Sequence, residues 1–91
     1  MKLRFEWHTA KADANERAHG VTFELATTAF HDPFAVELVD DREDYGEQRF
    51  GMAEGHTLLF VAYTERDERI RIISARRATR YETEGYFSQS S

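Results

Sequence analysis

The sequence predicts an α+β domain: an antiparallel twisted sheet carrying two helices from the N-terminal part and one from the C-terminal part, in the order β-α-α-β-β-β-β-α. Three observations lead there. Apolar residues recur at helical spacing before Pro33, strand-like patterning takes over from Phe34 to Ala75, and the last strands are joined by links short enough to be hairpins. A chain of 91 residues without cysteine builds one modest core and no disulfide, thiol nucleophile or cysteine-based zinc site.

Taken in order, KLRFEW (2–7) sets Leu3, Phe5 and Trp7 against Lys2, Arg4 and Glu6, the period-two alternation of a half-buried strand. The alanine-rich stretch from Thr9 reads as a helix, with Thr9 as its N-cap and Gly20 in the left-handed position beyond its end. A second helix follows, with Thr22 as N-cap, Val21 as an apolar anchor, and Phe23, Ala26 and Phe30 on one face. His31, Asp32 and Pro33 close it. FAVELV (34–39) gives a strand, DDREDYG (40–46) an acidic loop, and EQRFGMAEG (47–55) a strand running to a turn at Glu54 and Gly55. HTLLFVAYT (56–64) is apolar on both pleat faces, which predicts a central strand covered on both sides. ERDE (65–68) is a tight turn, RIRIIS (69–74) the last strand, and a helix is expected from about Ala75. Residues 1–87 then form the single domain and 88–91 a frayed tail. Trp7 and the phenylalanines Phe5, Phe23, Phe30, Phe50 and Phe60 fall on the buried phase and are expected in the core.

Charge is unevenly placed. Lys and Arg number 12 against 17 Asp and Glu, a net −5 that argues against indiscriminate nucleic-acid binding. Yet RIRIISARRATR (69–80) gathers five arginines and no acid. Alternation places Arg69 and Arg71 on the face opposite Ile70 and Ile72, and the expected helix start would carry Arg76, Arg77 and Arg80. Such a patch has two explanations. The arginines pair with surface carboxylates such as Glu37, Glu47 and those of the loop Asp40 to Asp44, or they form a concavity for phosphates, for which a planar guanidinium fork is suited. The N-terminus lacks an apolar run long enough for a signal peptide and no segment reaches membrane-spanning length, so the cytoplasm, without a membrane partner, is expected.

Two separated motifs carry a family resemblance. EWHTAKADANERAHGVTF (6–23), followed by RIISARRATRYE (71–82), resembles the BrnT toxins of type II toxin-antitoxin modules, with their E-W-D-x-x-K-x-x-x-N-x-x-K-H-G-V-x-F opening and R-I-I-S-A-R-x-A-x-x-x-E closing. The resemblance spans nearly the whole chain. It implies a RelE-like ribonuclease fold, a toxin that cleaves RNA and stops translation, and neutralisation by a BrnA-type antitoxin. That antitoxin would carry a ribbon-helix-helix part, linking the toxin to operator DNA indirectly, and the complex allows for toxin dimerisation. His8 and Thr9 stand where Asp and often Pro are common, which alters a helix cap. Ala18 replaces a Lys, which removes a cation near the implied site and is expected to lower activity or shift RNA preference.

Metal-free RNA cleavage needs a base for the 2′-hydroxyl, an acid for the leaving oxygen and cations for the phosphorane charge. No cofactor is expected, and His8, His19, His31 and His56 show no close ligand spacing with carboxylates, so no metal site is expected either. Arg76, Arg77 and Arg49 are the candidates for phosphate binding and charge stabilisation, Arg76 and Arg77 as catalytic residues and Arg49 as an RNA contact. His19 is the candidate acid or base because an ordinary histidine titrates near neutrality, although a His before a helix-ending Gly also serves simply as a cap. Glu24 is a further catalytic candidate, and Lys11, Arg69, Arg71 and Arg80 are candidate RNA contacts; Lys11 and Glu24 otherwise read as plain helix-surface residues. Tyr81 and Tyr86 suit base stacking or packing, and Glu82 suits pairing with an arginine. The competing function is a non-catalytic binding module or corepressor whose arginines hold an acidic partner.

Overall fold

Over residues 3–39 and 47–89, which the computed structural model describes, the chain forms β1 (Phe5–Glu6), α1 (Thr9–His19), α2 (Phe23–Thr28), β2 (Val36–Val39), β3 (Glu47–Ala53), β4 (Thr57–Arg66), β5 (Arg69–Arg77) and α3 (Arg80–Gln89). Short 3-10 turns follow α2 at Ala29–His31 and β3 at Glu54–His56. The acidic loop expected over 40–46 lies outside the described residues.

The strands lie in the order β1-β5-β4-β3-β2, so the apolar β4 is central. The hairpin-linked neighbours are antiparallel, but β1 runs parallel to β5 through Phe5↔Ile70 and Glu6↔Arg71, which makes the sheet mixed where the short hairpin links predict an antiparallel one. Short loops dictate direction only between consecutive strands, and β1 reaches β5 across the entire chain. The strand itself is two residues long where alternation suggests six.

One side of the sheet, here the helix-side face, carries the core: Leu59, Val61 and Tyr63 from β4 and Ile70, Ile72 and Ala75 from β5 meet Val21, Phe23, Ala26 and Phe30. Aromatic edges interlock through it, with Phe30 at 4.9 Å from Tyr63, Phe5 at 5.2 Å from Phe30 and Trp7 at 5.9 Å from Phe23. The 3-10 turn after α2 presses on β3 so closely that a Cβ at Gly51 would stand 2.5 Å from the Ala29 carbonyl oxygen. Phe50 and Phe60, expected in this core, are instead half-buried on the opposite, outer face, 4.6 Å apart. They were assigned by hydrophobicity, but each pairs with the other across the ladder on the pleat phase that faces away from α1 and α2.

A bulge decides the phase of β5. Ala62 pairs with Ser74 and Tyr63 with Ile72, leaving Ile73 as an extra residue. Without it, Ile70, Ile72, Ser74 and Arg76 would share a face; with it, Ala75 joins the isoleucines in the core and Arg76 turns outward opposite Phe60. The strand continues to Arg77, where sequence placed a helix from about Ala75. The Ala-Arg-Arg-Ala run has helical propensity, but pairing of Ala75, Arg76 and Arg77 with Val61, Phe60 and Leu59 overrides it. Helix α3 starts at Arg80 and extends through Gln89, so Ser88 and Gln89 are helical rather than part of a tail.

The N-caps divide. Thr22 caps α2, its hydroxyl accepting from the Leu25 N–H at 3.0 Å. Thr9 is already inside α1, and His8 holds the N-cap position in extended conformation with no side-chain cap bond. Gly20 ends α1 in the left-handed region (φ 68°), its N–H donating to the Glu16 carbonyl at 2.8 Å.

α1 is fastened to the sheet by Asn15, the one buried polar residue among those described. Its Oδ1 accepts from the Ala75 N–H at 3.0 Å, while Nδ2 donates to the Ala75 carbonyl at 2.8 Å and to the Val21 carbonyl at 3.0 Å. The carboxamide thereby behaves as a neighbouring peptide group on the side of β5 that lies beyond the reach of β1. Replacing Asn15 with Ala strands three buried backbone groups, and we expect a loss of about 2–3 kcal/mol in chemical denaturation. A loss under about 0.5 kcal/mol, the scatter of surface substitutions, would show the anchor to be dispensable.

Candidate functional site

On the outer face α3 lies beside Val36 of β2 and Phe50 of β3, and Arg76 of β5 meets its first turn. Its guanidinium lies 4.3 Å from the centre of the Phe60 ring and pairs end-on with Glu82, Nη1 to Oε1 at 2.8 Å and Nη2 to Oε2 at 2.9 Å. Nη1 also donates to the Arg77 carbonyl at 3.2 Å. An arginine has five N–H donors, and these three bonds leave Nε–H and the second hydrogen on Nη2. Those two point the same way, forming a fork for an oxyanion, and the side chain retains 34% exposure.

Glu82 does more than hold Arg76. Its Oε1 accepts from the Thr79 N–H at 2.8 Å while the Thr79 hydroxyl accepts from the Glu82 N–H at 3.2 Å, a capping box that starts α3. The Arg76 hydrogen bonds, helped by those from Thr79, hold the Glu82 carboxyl down at about 2, well below its ordinary 4.5, against the opposing effect of burial. The far part of α3 is anchored by the Tyr86 hydroxyl, which donates to Asp32 Oδ2. Asp32 Oδ2 also accepts from the Met52 N–H at 2.8 Å, and Oδ1 from the Phe34 N–H at 2.9 Å. Burial works against the Asp32 charge, but these bonds hold its carboxyl below the usual range, and burial together with Asp32 pushes the Tyr86 phenol up to about 12.

The remaining candidates are dispersed. Arg77, the last residue of β5, pairs in register with Leu59 and so takes the helix-side phase; it is exposed and makes no side-chain ion pair among the described residues. Arg69 and Arg71 stand on the outer face with Glu6 between them, at 3.6 and 3.0 Å. Arg80 opens α3, almost fully exposed, 3.4 Å from Glu84. His19 ends α1, exposed, with the capping done by the Gly20 backbone rather than by its ring. Lys11 and Glu24 are exposed, Glu24 in the first turn of α2 where its charge suits the helix dipole. Arg49 faces the other way from Arg76: it pairs with Val61 on the helix-side phase, lies 5.0 Å over Phe30, and binds Glu37 at 2.7 Å. Arg49 and Arg77 thus share the helix-side phase and Arg76 takes the outer one, so the pleat sets Arg76 apart from both. Among the described residues no three His, Asp or Glu side chains gather as a metal site would require.

Sequence reasoning passed over three contributors: the Phe50 and Phe60 platform, the Asp32 to Tyr86 tether and Asn15. Only Asn15 left a sequence signal, a poor helix former in the middle of an alanine-rich helix.

Together these features define a small α+β protein whose outer sheet face carries an arginine held between a carboxylate and an aromatic ring. The chain belongs to the family described as ribonuclease toxin, BrnT, of type II toxin-antitoxin systems, whose model matches residues 7–82. Membership implies an antitoxin partner. The fold is similar to that of the Brucella abortus ribonuclease toxin BrnT, solved at 1.1 Å, with a TM-score of 0.69 and 18% identity over 87% of this chain and 100% of that one. No curated protein matches the sequence. No helix among the described residues is long and apolar enough to cross a membrane.

The lowered Glu82 value has a direction. The Arg76 pairing contributes its full stability above the ordinary 4.5 and loses it as pH falls toward about 2. Thermal unfolding of the wild type should therefore shift downward more steeply across that window than unfolding of Glu82→Gln; parallel profiles would detach the pair from stability.

Proposed function

We propose that this chain is the toxin of a type II module and acts as a metal-independent endoribonuclease of RelE-like architecture, cleaving RNA in the cytoplasm and so inhibiting translation. The observation that carries this is Arg76: Glu82 and Phe60 fix its guanidinium while two of its donors make no hydrogen bond among the described residues and the side chain stays 34% exposed. A donor pair already oriented before substrate arrives stabilises developing phosphorane charge without reorganisation. Arg77, unpaired among the described residues and on the other pleat phase, serves a neighbouring phosphate where the strand ends. Arg69 and Arg71 extend the cationic track along the outer face, with Arg80 at its margin. His19 is the proton-transfer candidate, with Glu24 second. Lys11 and Arg49 are peripheral in this reading. The partner is a BrnA-like ribbon-helix-helix antitoxin, which neutralises the toxin and brings it to operator DNA, with toxin dimerisation inside that complex.

A second reading draws on a specific observation. Arg49, Arg69, Arg71, Arg76 and Arg80 each have a carboxylate partner, as expected if the arginines serve the structure and the chain is a non-catalytic corepressor. Exposed pairs of this kind contribute only about 0–1 kcal/mol each, so they do not by themselves account for so many arginines.

Expression of the wild type should arrest growth, and purified protein should cleave RNA in the presence of a chelator. Arg76→Ala combined with Arg77→Ala should remove the arrest and slow cleavage by at least about 100-fold, the usual effect of losing a preset donor. Equal arrest by both proteins would sink the assigned roles, and an absence of cleavage with and without ribosomes would favour the corepressor.

A further inference from the structure

Beside Arg76 the outer face holds a cavity of about 610 Å³ between α3 and the β2–β3 edge. Val36 and Phe50 line it from the sheet, Tyr81, Gly85 and Tyr86 from the helix, and Glu84 adds a carboxylate. We infer that this cavity is a nucleobase subsite for single-stranded RNA and that it selects guanine; the inference rests on the ribonuclease reading and names the substrate feature that reading leaves open.

Gly85 is the first observation. It stands in the interior of α3, where glycine is the poorest choice short of proline, and a Cβ there would meet nothing within 4 Å. Neither packing nor a left-handed backbone calls for it, since among the described glycines the positive φ values are at Gly20 and Gly55. What the missing side chain does is widen the cavity wall.

The second observation is continuity with the anion fork. Phe50 borders the cavity, its ring is 4.6 Å from Phe60, and Phe60 carries the Arg76 guanidinium at 4.3 Å. A nucleotide whose phosphate meets the free edge of Arg76 has an aromatic surface within reach for its base, the usual way proteins hold unpaired bases.

The third is the polarity of what remains unengaged. Both Glu82 oxygens are taken by Arg76 and Thr79, and the Tyr86 hydroxyl donates to Asp32. Two polar groups are left: the hydroxyl of the exposed Tyr81, which can both donate and accept, and Glu84, the one charged group among them, 67% exposed and only loosely held at 3.4 Å from Arg80. A carboxylate accepts and does not donate, so it favours a base edge made of donors. Guanine alone among the four bases presents two adjacent N–H donors, N1–H and N2–H, to match its two oxygens. The same carboxylate repels phosphate, which keeps the backbone at the Arg76 side.

The test titrates the labelled full chain with uncleavable 2′-O-methyl single-stranded oligonucleotides identical but for one central base, following amide shifts. The guanine oligomer should move the Gly85 amide and bind about tenfold more tightly than the adenine, cytosine and uracil versions, as a good bidentate base contact provides. Glu84→Gln should erase that preference. Gly85→Ala should weaken guanine binding about tenfold while raising the melting temperature by roughly 4 °C, since alanine is the better helix former. Equal binding of the four oligomers, an unmoved Gly85 amide, or unaltered binding by the more stable Gly85→Ala protein would overturn the subsite. Because these ligands cannot be cleaved, cleavage by the wild type in the separate assay shows whether the ribonuclease reading stands when the subsite falls.

Discussion

The carboxamide of Asn15 is the contact on which the rest of the structure turns. β5 is paired on one side by β4 along its length, but on the other by β1 for two residues only. Past that point its backbone would face the apolar interior with unpaired groups, a penalty of about 1–3 kcal/mol for each. Asn15 satisfies both groups of Ala75 and, through its remaining donor, the Val21 carbonyl at the entry to α2. One side chain therefore fixes the spacing of α1, the start of α2 and the strand that carries Arg76. An alanine helix would have better intrinsic propensity, and an aspartate would set a negative charge against two carbonyl oxygens. Asparagine is the residue that supplies one acceptor and two donors at this position.

The outward turn of Arg76 depends on a second local device, the bulge at Ile73. Strand alternation forbids Ile70, Ile72 and Ala75 from sharing a face, yet all are buried together because the extra residue resets the phase. The core gains Ala75 where Asn15 can reach it, and Arg76 gains the Phe60 ring. Packing and site are thus consequences of the same irregularity, and a regular strand would have directed this arginine into the apolar layer.

These devices mark where the sequence was legible. Alanine-rich composition with a helix-ending glycine revealed α1, apolar spacing α2, and the continuous apolar run the central β4, because each of those patterns is local. The direction of β1 and the extension of β5 to Arg77 were not legible, since they follow from pairing between residues far apart in the chain, whereas the start of α3 was written locally in the Thr79 to Glu82 capping box and was passed over. The site was partly legible: the arginine stretch stood out by charge, and the pairing of Glu82 with an arginine was anticipated from its type. Phe50 and Phe60 were misplaced because hydrophobicity does not say which side of a half-covered sheet a residue takes. That Arg49 and Arg76 look in opposite directions required the register as well as the pattern.

The choice between structural and functional arginines is less exclusive than the charge pattern suggests. An ion pair is usually counted as neutralising its cation, but geometry decides how much of a guanidinium it occupies. The end-on grip of Glu82 uses one hydrogen on each terminal nitrogen and leaves the side edge intact. The grip also removes rotamer freedom from a long side chain before any ligand arrives, an entropy that binding would otherwise have to overcome. Because the same carboxylate starts α3 through Thr79, the orientation of Arg76 is bound to the docking of the helix that walls the adjacent cavity. In a chain of net charge −5, local orientation of this sort, rather than overall attraction, is what can make an anion site.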